Sequence, residues 1–292
     1  MKTIKKVAKK IKKKVEKKKL VKRVSKKSAK KKEDTSYLKI GIPGFDSLFE
    51  KGYGIPSGAA VLIEGGPGSG KTVFCLSAVN GLCKEGKKCL YMSFEEPEEK
   101  LISHMANFKY DVDNFIKKGL LRVKRFDAID VARSVEALLS AAKKELLIEL
   151  DPVLFPKDFS PDFIVIDSLT SIASAFSGHE NRFRIYMEQL FRYLERNKIT
   201  NFLVREVSSP SHVGTNFVER GEAVSFLSDG IVVVYNVVYN TGERKSAIEI
   251  LKMRGVGFEK KIVEMEIEDK IGLVVRPEHV LKRSSGNNFQ LT

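Results

Sequence analysis

Gly65-Gly66-Pro67-Gly68-Ser69-Gly70-Lys71-Thr72 matches the spacing GxxxxGK[ST] at every position. The glycines let the backbone curl until successive N–H groups point inward at phosphate oxygens. The helix expected to open at Lys71 adds the positive end of its dipole. In such a loop the lysine reaches the β and γ phosphates as a point charge, the Thr72 hydroxyl binds Mg2+, and Val73 completes the set of nucleotide-binding residues. The alternative, a glycine-rich turn with no ligand, has to explain a full pattern set between two suitable elements. An apolar run at 59–64 leads into the loop, and Phe74, Leu76, Val79 and Leu82 follow at helical spacing.

A metal held by Thr72 needs an acid on its far side. Phe163-Ile164-Val165-Ile166 has the character of a strand buried on both faces, and Asp167 follows where that strand ends. In open α/β sheets ligands sit outside the carboxyl ends of the strands, so Asp167 is the candidate Mg2+ ligand. Hydrolysis also requires a base to orient water, and the strand at 88–94 runs into Glu95 and Glu96. The run from Glu95 to Glu99 has a second explanation, an acidic helix N-terminus favoured by the dipole. Composition does not separate the two.

Farther out, strand and helix alternate. Strands are expected at 120–125, 163–166 and 201–204, with helices at 131–147 and around Phe183, Met187, Leu190, Phe191 and Leu194. This alternation predicts a parallel sheet with helices on both faces. From 231 onward the pattern changes to strands at 231–238, 245–253, 261–267 and 272–275, separated by turn signals such as Asn240-Thr241-Gly242. The fold expected is α/β, a three-layer nucleotide-binding domain with a mainly parallel central sheet and an antiparallel C-terminal edge.

Charge is distributed unevenly along the 292 residues. The formal net charge of +15 comes from residues 1–34, which hold 18 of the 52 Lys and Arg and 3 of the 37 acids; residues 35–292 keep 34 of each. Ile4, Val7, Ile11 and Val15 recur at helical spacing, but clustered cations repel and so little apolar area does not offset ordering entropy. Residues 1–34 are therefore expected to be a basic tail, disordered or partly helical, followed by a domain at 35–280 and a short C-terminal tail at 281–292. No transmembrane segment or secretory signal is expected, so the chain is assigned to the cytoplasm. Cys75, Cys83 and Cys89 are odd in number and show no metal-ligand spacing, which implies reduced, structural thiols.

The motifs Gly41-Ile42-Pro43-Gly44-Phe45-Asp46, Gly54-Ile55-Pro56-Ser57-Gly58, Gly65 to Thr72, Ser93-Phe94-Glu95-Glu96, Asp167-Ser168, Ser228-Asp229-Gly230 and Lys252-Met253-Arg254-Gly255 occur in this order. The series resembles the KaiC family of P-loop ATPases, related to RadA and RecA, over about residues 38–275. The resemblance implies ATP and Mg2+ as cofactors and Glu95 and Glu96 as catalytic carboxylates. It also implies a homo-oligomeric, hexameric ring in which Lys252 and Arg254 reach the γ phosphate of a neighbouring subunit. Two positions depart from the family pattern: Val256-Gly257-Phe258 replaces a Ser and a His, and Arg205-Glu206 replaces Ser-Glu. With one such domain and no recognisable phosphorylated Ser/Thr pair, a circadian autokinase is not implied. Two functions are weighed. One is an ATPase coupling its nucleotide state to a partner. The other is a nucleotide-gated module with little turnover that binds nucleic acid or an acidic protein through residues 1–34.

Overall fold

The computed structural model describes residues 36–142, 156, 158–207, 227–238, 243–283 and 289–291. The basic tail, the turn at 240–242 and the end of the expected helix beyond 142 lie outside the described residues. The described strands and helices belong to one unit, Tyr37–Thr292.

A two-stranded ribbon, β1 (Tyr37–Leu38) and β2 (Ile55–Pro56), precedes β3 (Ala60–Gly65), which runs into helix α1 (Lys71–Lys84). Then follow β4 (Cys89–Ser93), α2 (Glu98–Asn107), α3 (Val112–Lys117), β5 (Leu121–Arg125) and α4 (Ala128–Ala142). The second half holds β6 (Phe163–Asp167), α5 (Leu169–Ala175), α6 (Glu180–Arg196), β7 (Thr200–Glu206), β8 (Gly230–Val238), β9 (Arg244–Met253), β10 (Val263–Glu268), β11 (Gly272–Arg283) and β12 (Phe289–Leu291).

Ten strands form one sheet in the order β12-β11-β10-β9-β8-β3-β7-β6-β4-β5. From β5 across to β8 every neighbour is parallel, and from β8 to β12 every neighbour is antiparallel. Alternate residues feed two cores. Val61, Ile63, Tyr91, Val165 and Phe202 pack on the face covered by α1, while Leu62, Met92, Ile164, Ile166 and Leu203 pack on the face covered by α6. Burial on both faces is why the central strands read as unbroken apolar runs. Helix α1 is enclosed so tightly that a Cβ at Gly81 would lie 2.1 Å from the Ile40 carbonyl oxygen.

The expected α/β architecture, with its parallel centre and antiparallel edge, is the one found. Strand β11 continues past 280: Val280 pairs with Val263, Leu281 packs against the second core, and Leu281 to Arg283 pair with β12. Residues expected as a terminal tail thus include two strand segments. Helices α3 and α5 and the β1–β2 ribbon are additions that the sequence did not signal.

Candidate functional site

The loop between β3 and α1 closes over its own lysine. Lys71 Nζ donates to the carbonyls of Gly65, at 3.0 Å, and Gly66, at 2.8 Å. Gly70 has φ 101°, a left-handed conformation that disfavours a side chain, and it brings the chain into α1 without any side-chain cap. The first-turn N–H groups are thus left for a ligand. Ser69 is buried, and its hydroxyl has no hydrogen-bond partner among the described residues. Burial pulls the Lys71 ammonium below its ordinary pKa, opposed by the charges of Glu206, Asp167 and Glu95.

Asp167 ends β6 in register with Ser93 of β4 and Val204 of β7, beside the start of α1. Its Oδ2 accepts hydrogen bonds from Thr72 Oγ1 at 3.0 Å and from Tyr91 Oη at 2.6 Å. Burial pushes the Asp167 carboxyl above the usual range, against the pull of these two hydroxyls. The two predicted metal ligands therefore lie in contact although 95 residues separate them. An uncapped helix start, a buried hydroxyl without a partner, an inward lysine and a hydroxyl–carboxylate pair together fit a triphosphate with a hard divalent cation.

Glu95 and Glu96 occupy the turn before α2, whose N-cap is Pro97; the acids of the first helical turn are Glu98 and Glu99. Glu95 Oε1 accepts from Ser168 Oγ at 2.5 Å and from Ser171 Oγ at 2.8 Å. Glu96 Oε1 instead accepts from Lys100 Nζ at 3.0 Å, and His104 Nδ1 lies 3.7 Å from its Oε2.

Lys252 and Arg254 are elsewhere. Lys252 Nζ donates to the Ser228 carbonyl at 2.6 Å, and the Arg254 guanidinium lies 3.7 Å from Asp229 Oδ1. In the sheet Met253 stands beside Gly230 and Gly230 beside Val61, whereas Gly65 stands beside Val234. Four strand residues, about 13 Å, therefore separate the level of Met253 from that of Gly65. These cations mark the amino ends of the parallel strands, opposite the loop, and the chain does not bring them to its own lysine. The additional cation Arg205 pairs with Glu64 at 2.6 Å on the face away from α1.

Sequence reasoning missed three groups at the site. Tyr91 is a polar tip within an apolar strand, its only signal the phenol itself. Ser168 stands in the Asp167-Ser168 motif, but nothing in the sequence pointed to its hydroxyl's partner, and Ser171 carries no signal beyond an ordinary helix start. The β10–β11 hairpin reaches the loop, since a Cβ at Gly70 would lie 3.2 Å from Met265 Cε and 3.8 Å from Ile267 Cδ1. Ile267 and Ile271 are both half exposed. The three cysteines are buried and free.

The profile of a family described as ATPase: KaiC matches residues 38–280. A UPF0273 protein of Pyrococcus horikoshii is 30% identical over 257 residues, covering 85% of this chain and 97% of that protein. The circadian clock protein KaiC2 of Synechocystis is 26% identical over 232 residues, which are 78% of this chain and 37% of that longer protein. Among solved structures, a KaiC-like protein from Pyrococcus horikoshii superposes with a TM-score of 0.64 at 27% identity, covering 83% of this chain and 100% of that one.

Proposed function

The chain belongs to the KaiC ATPase family, and from that premise we propose that it binds Mg-ATP in the 65–72 loop and hydrolyses it. The observation that carries the proposal is the contact between Thr72 and Asp167 at the mouth of a loop whose lysine points inward. Lys71 and the backbone N–H groups of the loop and of α1 hold the β and γ phosphates. Thr72 and Asp167 hold Mg2+, which when bound neutralises charge on the phosphate oxygens. The half-exposed Ile267 offers apolar surface to the base. A carboxylate at 95 or 96 orients the attacking water: its oxygen bonds to the γ phosphorus, its proton passes to the carboxylate, and the β–γ bridging bond breaks with the electron pair leaving on ADP.

The active assembly is a homo-oligomeric ring with nucleotide between subunits, and the nucleotide state is coupled to a partner. The position of Lys252 and Arg254 at the edge opposite the loop supports this arrangement, because only a neighbouring copy's phosphates come within their reach. Arg254→Ala is expected to keep ATP binding within a factor of a few and to lower turnover by roughly 10³-fold. Steady-state ATPase assays with parallel nucleotide-binding titrations check this. Undiminished turnover in the variant removes the role in trans.

A second reading rests on the 18 cations among residues 1–34. On that reading ATP gates the binding of nucleic acid by the tail, with little turnover.

A further inference from the structure

The geometry points to the Ser168 and Ser171 hydroxyls as a positioning pair that holds Glu95 for the attacking water, and to Glu96 as a group committed to α2 and outside the reaction. This rests on the ATPase reading above.

Two adjacent glutamates have been given entirely different surroundings. Both serine hydroxyls donate to the same oxygen of Glu95, Oε1, at 2.5 and 2.8 Å. Its Oε2 has no hydrogen-bond partner among the described residues. Glu95 is exposed, and an exposed glutamate without partners samples many rotamers. Two charge-assisted bonds hold one oxygen fixed and leave the other open.

The clamp is anchored to the metal-ligand strand. Ser168 follows Asp167 directly, is buried, and caps α5 by accepting the Ser171 N–H at 3.3 Å. Ser168 has a single proton, which the 2.5 Å contact assigns to Glu95, so its 3.2 Å contact with Ser171 Oγ is secondary. Glu95 is thereby tied both to the residue that follows Asp167 and to the first turn of α5. Glu95 is near enough for its charge to act on both Lys71 and Asp167. Helix capping accounts for Ser168 accepting an N–H. It does not account for the Ser171 hydroxyl, which is directed at Glu95.

Glu96 is tied down from the other side. Its N–H donates to Ser93 Oγ at 2.9 Å and Ser93 Oγ donates to its carbonyl at 2.7 Å; its Oε1 accepts from Lys100 one turn along α2, while its Oε2, buried and without a hydrogen bond among the described residues, lies 3.7 Å from His104 Nδ1. Among the described residues no hydroxyl donates to its carboxylate, in contrast to Glu95.

The test uses Ser171→Ala, which spares the cap made by Ser168. In the full-length protein kcat for ATP should fall roughly 10-fold, with KM and the equilibrium affinity for Mg-ATP unchanged within a factor of two, and Ser171→Thr should restore most of the rate. In a Glu95→Gln background Ser171→Ala should cause no further loss, whereas in a Glu96→Gln background the full decrease should persist. Unchanged kcat in Ser171→Ala, or an equal additional loss in the Glu95→Gln background, overturns the positioning role. A wild-type protein that binds Mg-ATP and never hydrolyses it defeats the parent ATPase reading before any serine variant is compared. Normal wild-type turnover matched by Ser171→Ala defeats only the clamp.

Discussion

Glu264 illustrates how a single buried charge is tolerated in this sheet. It is 2% exposed, yet Lys245 Nζ lies 2.8 Å from its Oε1 and His279 Nδ1 2.6 Å from its Oε2. Burial alone would raise its carboxyl, but the bonds from Lys245 and His279 outweigh burial and hold it below the usual carboxylate value. A group with a depressed folded pKa stabilises the fold above its unfolded value, about 4.3, and that stability is lost as pH falls through the lower folded value. Thermal unfolding between about pH 6 and pH 3 should therefore show an acid-side decline that becomes shallower in Glu264→Gln. An identical decline in the variant would contradict this assignment. At the same scale the residues proposed to hold phosphate and metal could be picked out because their spacing is local: Gly65 to Thr72 form a continuous motif, and Asp167 ends an apolar run. Tyr91 and Ser171 were not, because each meets its partner across 76 residues and no local pattern encodes that meeting. Glu95 and Glu96 look alike in sequence, and only their partners distinguish them.

At the scale of elements, the central strands were readable because a strand buried on both faces has no polar alternation to interrupt it. Phe163–Asp167 is buried at every position. Helix α6 was readable for the opposite reason, since Phe183, Met187, Leu190, Phe191 and Leu194 recur at helical spacing, all but the partly buried Phe183 being buried. Helices α3 and α5, with 6 and 7 residues, are shorter than the window in which a 3.6-residue period becomes visible. The acidic run from Glu95 to Glu99 was divided by Pro97: its first two glutamates lie in the turn and the last two begin the helix. That division frees Glu95 from helical geometry and lets it lean toward α5. The approach of the β10–β11 hairpin to Gly70 joins segments about two hundred residues apart, which hydrophobic periodicity cannot report.

For the whole molecule, the separation of charge is the feature that composition expresses most clearly. Residues 35–292 balance 34 cations with 34 acids, while residues 1–34 carry the entire excess of +15. If the tail neutralises about 5 phosphates, nucleic-acid affinity should fall with salt at a log–log slope of roughly −4 to −5. Deleting residues 1–34 should abolish the slope, as measured by fluorescence anisotropy with a labelled oligonucleotide. Equal binding by the truncated chain would dispose of the tail's role. No helix among the described residues is long and apolar enough to cross a membrane. The proposed activity depends above all on the 65–72 backbone wrapping a triphosphate whose metal Thr72 and Asp167 would hold. Calorimetric titration of the full-length chain with ATP, with and without Mg2+, tests this most directly. The expected result is one site per chain, tightened by Mg2+, weakened at least about 30-fold in Lys71→Ala, equivalent to about 2 kcal/mol, and insensitive to Mg2+ in Asp167→Asn. Absence of binding by the wild type, or equal affinity in Lys71→Ala, would contradict it.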